Sequence, residues 1–179
     1  MLAPEAKRDD RGYFARAFCM RECAERGLLV AFVQANIAGT NRRGTIRGLH
    51  YQVAPAEEAK LVRCTRGAVW DVMVDMRPTS PTRLQWFGIE LTAENQRQVY
   101  VPRGFAHGYQ CLVDDSELFY FVTAFYSPDE ERGIRWNDPA LSISWPISDN
   151  PELSPKDRAW PDLDVHHTPM LSGTTKETR

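Results

Sequence analysis

The chain has 179 residues, of which 42% are hydrophobic and 26% are charged, and these values predict one domain with a sizeable core. Its formal net charge of −2 gives no reason to expect nucleic acid or an anionic membrane as the main partner. No stretch approaches the roughly 18 apolar residues that a membrane span requires, and the N-terminus has no signal-peptide apolar run. We therefore expect a cytoplasmic protein.

The predicted elements are mainly short strands. A helix is expected first, over residues 19–27, with Gly27 as its C-terminal stop. An Arg66-Gly67 pair between the first two strands predicts a tight hairpin, and residues 154–163 are expected to add a turn of helix. Many short strands at close spacing favour a β-sandwich or barrel. The predicted strands are residues 60–65, 68–75, 84–91, 97–101, 108–113 and 117–126.

The strand over residues 68–75 alternates, so Val69, Asp71 and Met73 point one way while Val72 and Val74 point the other. Barrels of this kind often enclose one ligand, and inward polar side chains are then candidates for its chemistry. Asp71 is such a candidate on an otherwise apolar strand. Its alternative interpretation is a buried carboxylate that a neighbouring histidine or backbone N–H satisfies.

The sequence also predicts the extent of the domain and the state of the cysteines. Residues 1–171 are predicted to form a single domain, and the polar segment 172–179 is predicted to be a disordered tail because it has nothing to bury. The cysteines are too few and too scattered for a disulfide framework, and we expect ordinary thiols. They are Cys19, Cys23, Cys64 and Cys111.

The stretch VPRGFAHGYQ holds Pro102, Gly104 and His107 in a P-x-G-x-x-H spacing, which is typical of cupin-like barrels that bind a metal in the barrel mouth. Such a site also needs two further histidines close together on one strand. Gln52 stands where the partner of His50 would be, and two imidazoles without a third strong ligand make a poor zinc or iron site. His166 and His167 are adjacent in the sequence, so their side chains are expected to diverge. We therefore predict no metal.

Five segments together resemble the dTDP-4-dehydrorhamnose 3,5-epimerase family, in its order and spacing, from about Asp10 to about Pro161. The resemblance implies a mainly β fold, a cupin-like jelly-roll β-barrel with few short helices, as a homodimer with no metal and no cofactor. It implies inversion of C3 and C5 of a nucleotide-linked 4-keto-6-deoxyhexose, on the way to L-rhamnose or related deoxysugars. The segments are RGLHYQ, KLVRCTRGAVWDVMVDMRPTSPT, VPRGFAHGYQ, FYSPDEERGIRWNDPALSISWP and LSPKD.

The resemblance also assigns the catalytic roles. His50 matches the family's general base, and Asp157 matches the carboxylate that pairs with it. Lys60 matches the cation beside the C4 oxygen, Tyr120 matches the general acid, and His107 matches a second active-site histidine. These side chains suit proton transfer next to a ketone, which needs a base, a fixed positive charge at the enolate oxygen and an acid on the opposite face.

The nucleotide sugar is the implied partner, and the resemblance assigns its binding residues. Arg47 matches a residue that grips the diphosphate, with Arg11 as an assistant, since guanidinium groups bind phosphate oxygens through two parallel hydrogen bonds. Tyr126 matches a tyrosine that stacks on the nucleotide base. Gln34 and Asn36 match polar contacts to the nucleotide or the sugar.

The chain departs from the family at Arg16, where a Glu near the nucleotide end is usual, and at Phe121, where a Lys commonly follows the tyrosine. It also starts later than family members usually do.

His107 has two interpretations, because it either orients the sugar or pairs with Asp71. Three other functions stay open: inversion of one carbon or keto-isomerisation on a related nucleotide sugar, non-catalytic nucleotide-sugar binding, and metal-dependent cupin chemistry.

Overall fold

The computed structural model describes residues 1–164 as two antiparallel sheets with a short N-terminal hairpin beside them. Helices α1 (Met20–Ala24) and α2 (Pro155–Arg158) are both short. The strands are β1 (Ala6–Asp9), β2 (Gly12–Ala15), β3 (Gln34–Thr40), β4 (Ile46–Gln52), β5 (Lys60–Arg66), β6 (Ala68–Asp75), β7 (Trp86–Thr92), β8 (Gln98–Val101), β9 (Phe105–Cys111), β10 (Ser116–Val122) and β11 (Glu131–Gly133).

One sheet has the strand order β3-β10-β5-β8, and the other has the order β11-β4-β9-β6-β7. A core cluster between them takes Val62 and Leu118 from the first sheet and Val69, Met73 and Cys111 from the second. Neighbours in each sheet are mostly distant in sequence, as jelly-roll barrels require. The mainly β, cupin-like jelly-roll prediction with few short helices is confirmed.

The alternation predicted on β6 is also confirmed. Val69 and Met73 face the core between the sheets, whereas Val72 and Val74 belong to a second cluster on the outer side of the larger sheet. Side chains of the segment that follows β11, including Trp145, cover this second cluster. One strand is thus buried on both faces, which explains its nearly continuous apolar sequence.

The predicted hairpin at Arg66 and Gly67 is wrong. Strand β5 pairs with β8 and β10, whereas β6 pairs with β7 and β9, so the turn carries the chain from one sheet to the other. Gly67 has a φ of 72°, and a Cβ atom there would lie 2.6 Å from the Ser116 hydroxyl. The turn is tight, but turn chemistry alone does not distinguish a hairpin from a crossing between sheets.

Strands β4 and β9 approach each other closely at Gly48 and Gly108. A Cβ atom at Gly48 would lie 2.6 Å from the Gly108 Cα atom, and the φ of Gly48 is 121°. The ladder shifts register at this point, between Arg47 and His50, and then pairs His50 with His107. The two glycines therefore allow the irregularity that sets these histidines opposite each other.

The four cysteines are all free thiols, as expected. Cys64 and Cys111 are buried, and burial raises the pKa of the Cys64 thiol to about 11, so this thiol stays protonated and unreactive at neutral pH.

Neither short helix within residues 1–164 has the length and apolarity to cross a membrane. The predicted tail, 172–179, lies outside the described residues.

Candidate active site

A cavity of about 610 Å³ opens between the two sheets. The loop before α2 closes one side of it, and β4, β5, β9 and β10 supply most of the rest. The structure brings all five catalytic candidates to this one cavity, although they are spread over more than half of the chain. They are His50, Lys60, His107, Tyr120 and Asp157.

His50 is paired with Asp157, with 2.5 Å between Nε2 of the imidazole and Oδ1 of the carboxylate. Burial opposes ionisation of Asp157, but hydrogen bonds from His50, Ser154 and the Gly48 backbone, with the charge of His50, hold its pKa below the ordinary value. The ionised carboxylate accepts the Nε2 proton, so Nδ1 is the nitrogen left free to take a proton. Ser154 also accepts the Asp157 backbone N–H at 3.0 Å, which fixes the start of α2.

His107 is paired with Asp71, whose carboxylate oxygens lie 2.9 and 3.1 Å from the imidazole Nε2. Both residues are buried, and they stand on the adjacent strands β9 and β6. This confirms the interpretation that a neighbouring histidine satisfies Asp71. His107 lines the cavity at the same time, so it is a fixed hydrogen-bonding group in the cavity wall.

Lys60 forms an ion pair with Glu58 at 3.0 Å, and both side chains are only 12% exposed. The Gln52 amide donates to Glu58 at 3.2 Å and to the Ala56 carbonyl at 2.9 Å. Gln52, which stands in place of a metal-binding histidine, therefore organises the loop that carries Glu58. Sequence reasoning missed Glu58, although its position two residues before Lys60 in an extended segment was a usable signal.

Tyr120 lies on β10 opposite Val62 of β5 and Asn36 of β3. Burial raises the pKa of its phenol, and the charge of Glu58 raises it further, while Arg47 opposes both effects. The phenol is therefore protonated at neutral pH, as a proton donor must be.

A second cavity of about 340 Å³ shares His50, Lys60 and Tyr120 with the first. Gln34, Asn36 and Tyr126, the residues predicted to contact the nucleotide or the sugar, line this second cavity. The Gln34 amide donates to the Asn36 side-chain oxygen at 2.7 Å.

Glu131 and Lys156 are site residues that sequence reasoning missed. The Tyr126 hydroxyl donates to Glu131 at 2.6 Å, and Lys156 forms an ion pair with the same carboxylate. Glu131 lines the second cavity and Lys156 the first. They are 25 residues apart, and only the fold brings them together.

The two arginines predicted to bind phosphate lie in different places. Arg47 lines the first cavity, and its guanidinium donates to the Gly39 carbonyl at 2.9 Å. Arg11 lies at the turn of the β1–β2 hairpin, is 89% exposed, and pairs with Asp9. It lines neither of the two cavities described above. Arg16 pairs with Glu22 of α1.

No group of three or more His, Cys, Asp or Glu side chains within residues 1–164 is arranged to hold a metal ion. His166 and His167 lie outside the described residues. The donor set of the cavity consists of two separate histidine–carboxylate pairs and a lysine, which fits proton transfer and oxyanion stabilisation.

The chain is similar to several known proteins. The family model for dTDP-4-dehydrorhamnose 3,5-epimerase matches residues 1–164. A Salmonella typhimurium protein of that name is 46% identical over 165 residues, covering 92% of this chain and 90% of its own length. The Bacillus anthracis enzyme of that name, solved with TDP and PPi bound, has a TM-score of 0.87 and 43% identity, with 90% and 91% of the two chains covered. A Legionella pneumophila 3,5-epimerase in complex with dTDP-4-keto-L-rhamnose has a TM-score of 0.85 and 40% identity, with 92% and 87% covered.

Proposed function

Because the chain belongs to the dTDP-4-dehydrorhamnose 3,5-epimerase family, we propose that it inverts C3 and C5 of dTDP-4-dehydro-6-deoxyglucose or a closely related nucleotide sugar. The chain is an isomerase, and the proposal concerns its substrate and the way its side chains act. The observation that carries the proposal is the pairing of His50 with Asp157, 2.5 Å apart, in a cavity that also holds Lys60 and Tyr120.

His50 is the general base of the proposed reaction. A proton on a carbon next to the C4 ketone is acidic because the resulting carbanion delocalises into an enolate. Nδ1 of His50 takes this proton, since Nε2 is bound to Asp157. The carboxylate then stabilises the imidazolium, and a positioned base of this kind contributes about 10²–10⁴-fold in rate.

Lys60 and Tyr120 complete the proton transfer. The Lys60 ammonium lies largely enclosed at the cavity wall and stabilises the negative charge on the enolate oxygen, an effect whose loss typically costs about 10²–10³-fold in rate. Tyr120, whose raised pKa keeps the phenol protonated, returns a proton to the opposite face of the carbon. His107, held by Asp71, orients the sugar or its C4 oxygen.

The two cavities, which share His50, Lys60 and Tyr120 as lining residues, suit a substrate with a sugar at one end and a nucleotide at the other. Arg47 supplies a guanidinium for the diphosphate. Tyr126, Gln34 and Asn36 supply an aromatic ring and amides for the nucleotide end or the sugar. The bound TDP and dTDP-4-keto-L-rhamnose of the two solved relatives support a nucleotide-sugar ligand for this chain as well.

We also propose a homodimer that covers the outer face of the smaller sheet. Ile37 on its edge strand β3 is 68% exposed, and Phe14 on the β1–β2 hairpin is 70% exposed. The Arg63 Nε atom on the same outer face is buried without a hydrogen-bond partner among residues 1–164. Burying apolar side chains against a second copy is favourable. Arg11, which lies outside both cavities, would then act at the partner's site.

The decisive experiment is incubation with dTDP-4-dehydro-6-deoxyglucose in D2O, with NMR of the sugar. We expect deuterium at C3 and C5, and loss of exchange in His50→Ala with wild-type exchange in Asp149→Ala, a surface control. Undiminished exchange in His50→Ala would mean that another group is the base. Exchange at one carbon only would favour the single-carbon alternative, and binding without exchange would favour the binding-protein alternative. Loss of activity to a chelator would favour metal-dependent chemistry.

A further inference from the structure

Gly133 leaves an empty side-chain position next to His50. The two residues are directly paired in the β4–β11 ladder, and directly paired residues project their side chains on the same face of a sheet. Any side chain at position 133 would therefore stand beside the His50 imidazole. A Cβ atom there would lie 2.0 Å from Cε2 and 2.3 Å from Nε1 of Trp160.

The Trp160 indole fills the position that Gly133 leaves empty. Its ring contacts the His50 imidazole edge-on, with 6.4 Å between ring centroids and 61° between the planes. The Lys156 ammonium lies 6.0 Å from the indole centroid. The indole Nε1 is buried and has no hydrogen-bond partner within residues 1–164, so shape and ring contacts hold this side chain in place.

One short segment thus touches His50 in two ways. Asp157 of α2 binds Nε2, and Trp160, three residues later, packs beside the ring. A single hydrogen bond still allows the imidazole to rock, because rotation about its outer side-chain torsion has a broad energy minimum. A ring packed beside it removes that freedom.

We propose that Trp160 is a positioning residue that holds the His50 imidazole in line with Asp157 by occupying the place of a side chain at Gly133. The consequence for catalysis rests on the proposed role of His50 as the base, whereas the effect on the imidazole does not. Trp160 lines neither of the two cavities, so it acts on the base and not on the substrate.

The first test is kinetic. Trp160→Ala is expected to lower kcat by about 10–100-fold, because small misplacements of a catalytic group cost up to about 10²-fold. Its KM stays close to the wild-type value, and Trp160→Phe, which keeps an aromatic ring, recovers most of kcat. Arg158→Ala on α2 is the matched control and keeps wild-type kinetics. An unchanged kcat in Trp160→Ala, or a change confined to KM, would overturn the proposal.

The second test couples the two positions. Gly133→Ala places a methyl group where the indole lies, so it should lower kcat in the wild-type background by displacing Trp160. In the Trp160→Ala background the same change should have no further effect, because the space is then empty. Additive losses would show that the two positions act independently and would refute the proposal.

The third test needs no substrate. In the ligand-free protein, NMR of ¹⁵N-labelled histidine should show a slowly exchanging Nε2 proton on His50 in the wild type and in Trp160→Phe, and its loss in Trp160→Ala. If the wild type lacks epimerase activity but this pattern is found, the proposed function fails and the positioning role stands. If the proton exchanges equally in all variants, the positioning role fails. Should Trp160→Ala not fold, Gly133→Ala decides by the same signal.

Discussion

His50 stands directly opposite His107 in the pairing of β4 and β9, yet each imidazole binds a carboxylate of its own. Asp71 reaches His107 from an adjacent strand, inside the core. Asp157 reaches His50 from a loop and a short helix, and the His50 side chain is 31% exposed against 10% for His107. The more accessible histidine is the better placed to exchange protons, and the enclosed one to hold an orientation.

Asp157→Asn should lower kcat for epimerisation by about 10²-fold or more, because the imidazolium formed during proton transfer loses its counter-charge. Binding of the nucleotide diphosphate should change little. Solvent-deuterium exchange and calorimetric titration with TDP would measure the two effects separately. Equal losses in binding and turnover would mean that Asp157 serves the shape of the site and not its chemistry.

The same carboxylate makes stability depend on pH. The folded-state pKa of Asp157 lies below its ordinary value of 3.8, so its contribution to stability is present above about pH 4 and is lost as the pH falls through the folded-state pKa. Urea unfolding of the wild type and Asp157→Asn should therefore show a difference at pH 7 that shrinks toward pH 3. A constant difference across this range would contradict the assignment.

Asp71→Ala should lower the free energy of unfolding by about 1–3 kcal/mol, because it leaves the buried His107 without its hydrogen-bond partner. Asp149→Ala, at an exposed position, is the control and should change it by less than about 0.5 kcal/mol. Urea denaturation at pH 7 measures both. Equal stabilities of the two variants would show that the buried pair of Asp71 and His107 makes no net contribution to the free energy of unfolding.

Glu58→Gln should lower the pKa of Tyr120, because the carboxylate is one of the charges that raise it. A general acid must be protonated, so the descending alkaline limb of the pH–rate profile should move to lower pH. Ultraviolet titration of tyrosinate, taken as the difference between Glu58→Gln and the same variant with Tyr120→Phe, isolates the phenol. An unmoved titration would show that the Glu58 charge does not contribute to the pKa of Tyr120.

Ile37→Lys should convert the proposed dimer to a monomer, because it places a charge in the face that the second copy would cover. Phe87→Lys is the matched control, since Phe87 is a half-exposed apolar residue on β7 of the other sheet. Analytical ultracentrifugation would distinguish a dimer from a monomer for each variant. A wild-type protein that sediments as a monomer would refute the dimer, and dimeric Ile37→Lys would place the interface elsewhere.

The sequence allowed β6 to be predicted correctly at both ends, because its nearly continuous run of apolar, mostly β-branched or aromatic residues favours a buried strand. Strands β3 and β4 were not predicted. β3 directs polar residues such as Asn36 into the cavity, and β4 carries Gly48 at the close approach to Gly108, so neither has a strand-like apolar pattern. The functional demands on these strands are what obscure their structure in the sequence.

Some residues of the candidate site could likewise be predicted from the sequence and others could not. The five catalytic candidates were identified because they occur in motifs that resemble a family. Glu131, Lys156 and Trp160 were missed, because their contacts join α2 and the residues after it to β11 and depend on how the C-terminal segment folds back. Periodicity and spacing carry no information about such contacts between distant parts of the chain.

The position of Asp157 on the chain has a consequence for synthesis. Within residues 1–164 the last strand, β11, ends at Gly133, but the carboxylate that binds His50 follows 107 residues after that histidine and well beyond β11. Domains generally begin to form during translation, from the N-terminal side. A nascent chain can therefore assemble both sheets before Asp157 is available to pair with His50.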